Sequence, residues 1–190
     1  MVFKGAAIFS TFLHVRELKV RMAQSRSRLY RVAYSWCHDP CLADDLVQET
    51  LLKGLKNAHQ IKDGAALDSW LFSILANCLR DHFRRQHPTA DVEEIMELAA
   101  PGASPEECHT ENELVGRVRR AVATLPLGQR QVITLVDLEE LSYSQTAAAL
   151  GIPVGTVMSR LCRARQALRA RLHETPSSLH VLTPKIRSVE

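Results

Sequence analysis

The stretch YSQTAAALGIPVGTV, residues 143–157, decides how the sequence is interpreted. Two helical runs meet there across Gly151, and small Ala147 stands where two helices of a helix-turn-helix must approach. A glycine in the turn adopts a left-handed conformation without a Cβ penalty. Ile152 and Val157 can seal the angle between the helices. The spacing therefore predicts a helix-turn-helix framed by Ala147, Gly151 and Val157.

Five arginines follow the turn on one helix with no acidic residue among them: Arg160, Arg163, Arg165, Arg169 and Arg171. The like charges on such a helix repel one another unless a polyanion is near. Thr156 and Ser159 lie at its start, the part that would enter a major groove, where arginine can pair with guanine. A solvated basic helix in a bundle is the alternative, and the helix-turn-helix frame favours DNA binding over it.

The first half of the chain is also helical in pattern, from about Thr11 to Arg85, with no alternating run typical of a strand. Breaks are expected at residues 38–40 and 62–64, and Asp68 or Ser69 is the expected N-cap of the next helix. We therefore predict an all-α fold. The apolar positions with helical spacing include Leu29, Val32, Ala33, Trp36, Leu42, Leu46, Val47, Leu51 and Leu55.

Two runs in this half are candidate binding surfaces. Residues 44–49, with the sequence DDLVQE, combine acids and an amide with an apolar stripe, which suits docking on a basic partner. A solvated acidic face supported by Glu49 and Lys53 at i,i+4 is the commoner explanation. The run from Trp70 to Arg85 combines aromatic and cationic side chains, which single-stranded nucleic acid needs, although Trp70 suits a core position equally well.

Charge divides the chain into parts. The formal net charge is +3, yet eight acids and no Lys or Arg lie between Arg85 and Arg117, so a negative segment separates two basic ones. We expect a first domain over 1–87, with residues 1–24 an N-terminal extension or first helix. A flexible acidic linker over 88–112, a second domain over 113–173 and a loose tail over 174–190 are expected to follow.

Bulk properties exclude several classes. The five cysteines are odd in number and scattered, which is typical of reduced thiols rather than a disulfide framework. Cys37-His38-x-x-Cys41 and the pair Cys78 and His82 lack a second pair of ligands at zinc spacing, so we expect no metal, no cofactor and no enzymatic activity. The run AAIFSTFL near the start is too short to span a bilayer. We expect a cytoplasmic protein without membrane insertion, monomeric when not in complex.

Together the motifs resemble regions 2 and 4 of an extracytoplasmic-function sigma factor. The resemblance spans about Leu29 to Leu172, and the joint occurrence of both halves is more specific than either half. The residues that carry it are Ala43-Asp44-Asp45-Leu46-Val47-Gln48-Glu49, Trp70-Leu71-x-x-Ile74-x-x-Asn77-x-x-x-Asp81-x-x-Arg84, Leu125-Pro126 and Gly155-Thr156-Val157-Met158-Ser159-Arg160-Leu161-x-Arg163-Ala164-Arg165. It implies two helical domains, a region 2 bundle and a region 4 helix-turn-helix.

The resemblance also implies a role for each surface. Docking on the clamp helices of core RNA polymerase would fall to Asp44, Asp45, Leu46, Val47, Gln48, Glu49 and Lys53. Capture of the minus 10 element would fall to Lys62, Trp70, Asn77, Arg80, Asp81, Arg84 and Arg85. The minus 35 element would be read by Thr156, Ser159, Arg160, Arg163 and Arg165. The implied partners are core RNA polymerase, through its clamp helices and flap, promoter DNA and an anti-sigma factor.

Some residues depart from the family pattern: Ile61, Gln145, Thr146, Met158 and Cys162. They leave the promoter sequence open. The leading alternative is a helix-turn-helix regulator that does not act as a sigma subunit. That class would require a receiver or ligand-binding domain, which the all-helical first half does not supply. A helical adaptor whose basic face binds an acidic protein is a further alternative.

Overall fold

The computed structural model describes residues 16–58, 61, 66–86 and 113–173. The N-terminal residues 1–15, Lys62, the predicted linker and the predicted tail lie outside the described residues. Within the described ranges the secondary structure is helical and contains no strand, which confirms the all-α prediction.

The described chain forms two helical domains. Helix α1 covers residues 16–24. The front domain continues with α2 (Arg26–Cys37), α3 (Pro40–Lys56) and α4 (Leu67–Gln86). The rear domain contains α5 (Glu113–Ala123), α6 (Leu127–Ile133), a π-helical turn (Thr134–Leu138), α7 (Tyr143–Leu150) and α8 (Val154–His173).

The predicted break between α2 and α3 is confirmed at residues 38–40. His38 ends α2 in the left-handed conformation, with φ 53°. The Asp39 carboxylate then caps α3, because it accepts hydrogen bonds from the backbone N–H of Cys41 at 2.8 Å and of Leu42 at 3.0 Å. Pro40 occupies the first helical position, where its missing N–H costs no intrahelical bond.

The start of α4 differs from the prediction. Neither Asp68 nor Ser69 is its N-cap, because Leu67 is already helical and fully buried. Burial of Leu67 in the core fixes the helix start ahead of the polar pair. The Asp68 carboxylate instead accepts a hydrogen bond from Arg28 at 2.7 Å.

The core of the front domain lies where α2, α3 and α4 meet. Trp36 is fully buried there, together with Val47 and Leu75. Along α3 the inward positions pass to Thr50 and Gly54, and a Cβ at Gly54 would stand 3.2 Å from the Leu71 side chain. An added methyl group at this point would require the Leu71 side chain to shift by a few tenths of an ångström, so α3 and α4 approach closely here.

The apolar pattern of α3 does not indicate which of its leucines are exposed. Leu55, one of the apolar positions with helical spacing, is 41% exposed, and Leu52 is 58% exposed. The reason is that Thr50 and Gly54 take the inward positions on the last turns, so the leucines beside them face outward. The other predicted inward positions of this helix are buried or partly buried.

The helix-turn-helix is confirmed in the rear domain. Gly151 ends α7 with φ 67°, and Ala147 and Val157 are buried on either side of the turn. The start of α7 carries a capping box, in which the Ser142 hydroxyl accepts from the Gln145 N–H and the Ser142 N–H donates to the Gln145 side chain. Each bond satisfies a donor that the helix start leaves without an intrahelical partner.

The two domains pack against each other along a surface we call the seam. On the front side it is formed by α2 and α4, and on the rear side by α5, α6, α7 and the π-helical turn. Helix α4 lies along α7, and buried side chains of both domains form one continuous hydrophobic core. The sequence did not predict this contact between the domains.

Candidate nucleic-acid and partner interfaces

The first candidate surface is the exposed face at the start of α8. Ser159 and Arg163 are exposed there, and Thr156 is half-buried. The Ser159 hydroxyl donates to the Thr156 carbonyl at 3.1 Å, and Arg163 Nε lies 3.4 Å from the Ser159 carbonyl. These bonds hold the side chains close to the helix that presents them, so a hydroxyl and a guanidinium share one accessible face.

Two of the arginines predicted to contact the minus 35 element, Arg160 and Arg165, have partners that their spacing in the sequence could not reveal. The Arg160 guanidinium packs on α6, where a Cβ at Gly128 would stand 3.0 Å from its Cζ. Arg165 donates two hydrogen bonds to the Asp137 carboxylate, at 2.6 and 3.1 Å, and these bonds raise its pKa. Asp137 therefore relieves part of the repulsion among the arginines of α8.

The second candidate surface is the outer face of α3. Asp45 and Gln48 are exposed, and Leu52 and Leu55 continue the same line at spacings of three and four residues. We call these four residues the α3 stripe. It places a carboxylate and an amide beside two apolar side chains on one helix face.

Other residues predicted to dock on polymerase lie beside or beneath the stripe. Leu46 is 2% exposed and Val47 fully buried, so their part is to hold α3 in place from within the core. Asp44 lies on the flank of α3 and forms an ion pair with Arg26 at 3.2 Å.

A network of charges joins α3 to α4. Lys53 Nζ lies 2.9 Å from the Glu49 carboxylate, 3.7 Å from that of Asp81 and 3.5 Å from Cys78 Sγ. The hydrogen bond to Glu49 is the main reason that the pKa of Lys53 is raised. Arg85 Nη2 reaches Glu49 at 3.9 Å. The i,i+4 pair of Glu49 and Lys53 was predicted, and the links to α4 were not.

The third candidate surface is α4. The Asn77 side chain accepts from Arg80 at 2.6 Å, and Arg80 also donates to the Leu150 carbonyl of α7 at 3.0 Å. Arg84 and Arg85 are exposed near the end of the helix. Trp70 is partly buried against the core and keeps part of its ring accessible, so packing and contact are compatible at this position.

Across the described ranges, no group of three or more His, Cys, Asp or Glu side chains is placed to hold a metal ion. No described helix combines the length and the hydropathy needed to cross a membrane.

A helix-turn-helix with an exposed arginine face, joined to a helical domain with an acidic face, defines a class of DNA-binding transcription proteins. Comparison with family models narrows this class. The model described as Sigma-70 region 2 matches residues 22–89, and the model described as Sigma-70, region 4 matches residues 116–168.

Among curated proteins, the chain is 39% identical over 132 residues to the ECF RNA polymerase sigma factor EcfG of Rhodopseudomonas palustris. That match covers 69% of this chain and 71% of the relative. It is 33% identical over 149 residues to SigE of Mycolicibacterium smegmatis, covering 77% of this chain and 58% of that longer protein. The chain therefore belongs to the ECF RNA polymerase sigma factors.

The fold is also similar to that of solved structures in complex with a partner protein. The sigma factor RpoE in complex with the anti-sigma factor NepR from Bartonella quintana has a TM-score of 0.68 and 27% identity, covering 84% of this chain and 99% of that one. CnrH in complex with the cytosolic domain of CnrY has a TM-score of 0.58 and 25% identity, covering 83% and 88%.

Proposed function

We propose that this sigma factor binds core RNA polymerase through α3 and directs it to promoters that α4 and α8 recognise. The observation that carries the proposal is the α3 stripe, with leucines 58% and 41% exposed beside Asp45 and Gln48, on a chain whose α8 also exposes Ser159 and Arg163. A regulator that acts on DNA alone needs the second surface and not the first. Two exposed leucines in line with a carboxylate and an amide on one helix face are what a docking surface for a protein would present.

The α3 stripe suits a partner helix with basic and apolar residues. Burying the exposed part of each leucine contributes on the order of 1 kcal/mol, from about 25 cal/mol per Å² of apolar surface. The exposed Asp45 carboxylate adds orientation and association rate more than affinity. These properties support docking on the clamp helices of polymerase, to which the sequence resemblance also points.

Helix α4 supports capture of an unpaired strand. Extruding a base costs a few kcal/mol, and stacking on an aromatic ring returns about 1–3 kcal/mol per base. The accessible part of Trp70 can stack, while Arg84 and Arg85 lie exposed to hold phosphates. We place Lys62 in the same surface on the resemblance alone.

Helix α8 supports recognition of duplex DNA at the minus 35 element. Ser159 and Arg163 present a hydroxyl and a guanidinium to a major groove, with Thr156 at the helix start. Arg165 would hold a phosphate beside its bond to Asp137. Arg160 would contact the same DNA element from its position against α6.

Membership of the family supports proposals for the partners and the compartment of this chain. RpoE was solved in complex with the anti-sigma factor NepR, and CnrH in complex with the cytosolic domain of CnrY. By analogy we propose that an anti-sigma factor holds this chain inactive until a signal arrives. The chain would act in the cytoplasm as a monomeric subunit without enzymatic activity, since the chemistry of RNA synthesis belongs to the polymerase.

The proposed division of labour is testable with two charge variants. Arg163→Ala should weaken binding to duplexes selected from a random pool by the wild-type chain, by about 5-fold to 100-fold, and leave co-elution with core polymerase intact. Asp45→Lys should abolish co-elution, because the new lysine repels a basic partner surface that the native carboxylate only helps to orient, and it should leave duplex binding intact. Arg169→Ala and Glu17→Lys, at exposed positions outside the proposed surfaces, are the matched controls. Equal loss of both activities from either change, in folded protein, would contradict the proposal.

A further inference from the structure

Arg28 of α2 makes a polar contact across the seam through its guanidinium group. Its Nη2 donates to the Glu139 carbonyl at 3.2 Å, and its Nε donates to the Glu139 carboxylate. Its Nη1 donates to Asp68 at 2.7 Å, and its Cζ lies 5.5 Å from the centre of the Phe72 ring. All three guanidinium nitrogens are engaged, and the Glu139 side chain is only 8% exposed. Arg28 therefore joins the two domains through a largely desolvated acid.

The backbone of the rear domain places Glu139 for this contact. The π-helical turn ends where the Glu139 N–H donates to the Thr134 carbonyl at 3.0 Å. Glu140 then takes a positive φ of 56°, an uncommon conformation for this residue type. The Thr134 hydroxyl lies 3.1 Å from the Ser35 hydroxyl of α2. Wide turns of this kind are frequent at functional sites.

A second contact occupies residues that the proposed function assigns to DNA. Arg80 donates to the carbonyl of Leu150, the last residue of α7, where helix carbonyls lack intrahelical donors and carry partial negative charge. Its other nitrogen is held by Asn77. Closure of the seam therefore engages part of the surface proposed to capture the minus 10 strand.

The closed arrangement is too small to contact both promoter elements. Elements centred about 25 base pairs apart are separated by about 85 Å at 3.4 Å per base pair. A compact body of 190 residues has a radius of gyration of only about 16 Å. Residues 87–112 could reach about 90 Å if fully extended, so the covalent chain permits the separation. Promoter binding thus requires the seam to open.

The seam also contains a group that opposes closure. Arg130 of α6 is 3% exposed, and within the described residues its Nε and Nη1 have no hydrogen-bond acceptor. Cys37 and His38 of α2 lie near it, and burial lowers its pKa to about 10. Burying a cation without a counter-ion costs free energy that opening would recover through hydration.

We propose that Arg28 and Glu139 form a latch that keeps the free chain closed over part of its own proposed strand-capture surface, with Arg130 limiting the strength of the closure. The assignment of the covered surface to strand capture rests on the proposed function, whereas the latch itself does not. A partner that binds the open form better shifts the population toward it by its difference in affinity for the two forms.

Energy transfer between dyes on the exposed Cys41 and Cys162, one in each domain, tests the latch in full-length Cys108→Ser protein. The readout is the midpoint of domain opening in low urea. Glu139→Gln should shift the closed-to-open ratio about 10-fold to 100-fold toward open. Arg130→Met should shift it toward closed. Asp137→Asn is the matched control, because its partner Arg165 lies in the same domain.

The outcomes separate the latch from the proposed function. If folded Glu139→Gln opens at the same urea concentration as the parent protein, or if Arg130→Met opens more readily, the latch is overturned. Binding of a mixed-sequence single-stranded oligonucleotide without polymerase should strengthen up to about tenfold in Glu139→Gln. If opening becomes easier while this affinity stays unchanged, the latch stands and the assignment of α4 to strand capture fails.

Discussion

Two glycines of the helix-turn-helix allow the cost of its turn to be measured separately from packing. Gly151 lies in the turn with φ 67°, and Gly155 lies in the first turn of α8. A Cβ added at either position meets no atom within 4 Å. Replacement by alanine is therefore free of steric conflict at both positions. Any difference in unfolding free energy between the two variants should then come from the backbone conformation.

The expected free energies have opposite signs. A non-glycine residue in the left-handed region costs about 1–2 kcal/mol, partly offset by about 0.4–1 kcal/mol from the lower entropy of the unfolded chain. Gly151→Ala should therefore destabilise the protein by about 1 kcal/mol. Gly155→Ala should stabilise it by up to about 1 kcal/mol, since alanine is the better helix former.

Urea unfolding followed by circular dichroism measures both changes against the same parent protein. Gly151→Asn is a useful further variant, because asparagine tolerates the left-handed region better than alanine and should cost less. Equal unfolding free energies for Gly151→Ala and Gly155→Ala would refute the reasoning, because the φ angle is the feature that separates the two sites.

Two further changes test the junction between α2 and α3. Asp39→Ala removes the acceptor of two helix N-terminal N–H groups and should cost about 1 kcal/mol in urea unfolding, so an unchanged midpoint would contradict the capping role. Burial, and then the charge of Arg130, lower the pKa of His38 to about 4, from 6.5 in the unfolded chain. The unfolded state therefore binds more protons below pH 6.5, and stability should fall as the pH drops from 6.5 toward 4. Comparing unfolding at pH 7.5 and pH 5, His38→Asn should lose part of this dependence, and retention of the whole drop would count against the assignment.

Helical periodicity predicted most of the front domain, because buried positions such as Val32 and Trp36 recur on one face of a helix. It failed at the end of α3, where Thr50 and Gly54 face inward and Leu55 faces outward. Side-chain polarity does not show how closely α4 approaches α3 at Gly54. That information lies in the tertiary contact with Leu71.

The helix-turn-helix was predictable because its geometry depends on residues close in sequence, with Gly151 in the turn. The seam was not, because Arg28 and Glu139 are 111 residues apart and neither belongs to a periodic pattern. The same limit applies to the candidate surfaces. Sequence indicated the arginines of α8, while the pairing of Arg165 with Asp137 depends on the packed structure.

We expect this chain to give core polymerase the ability to begin RNA synthesis at defined promoters. Run-off transcription with core polymerase on a library of bacterial genomic fragments, with and without the purified chain, tests it most directly. We expect transcripts with discrete 5′ ends that appear when the chain is present and are lost with Asp45→Lys. Transcription that shows no new start site in the presence of the folded chain would contradict the claim.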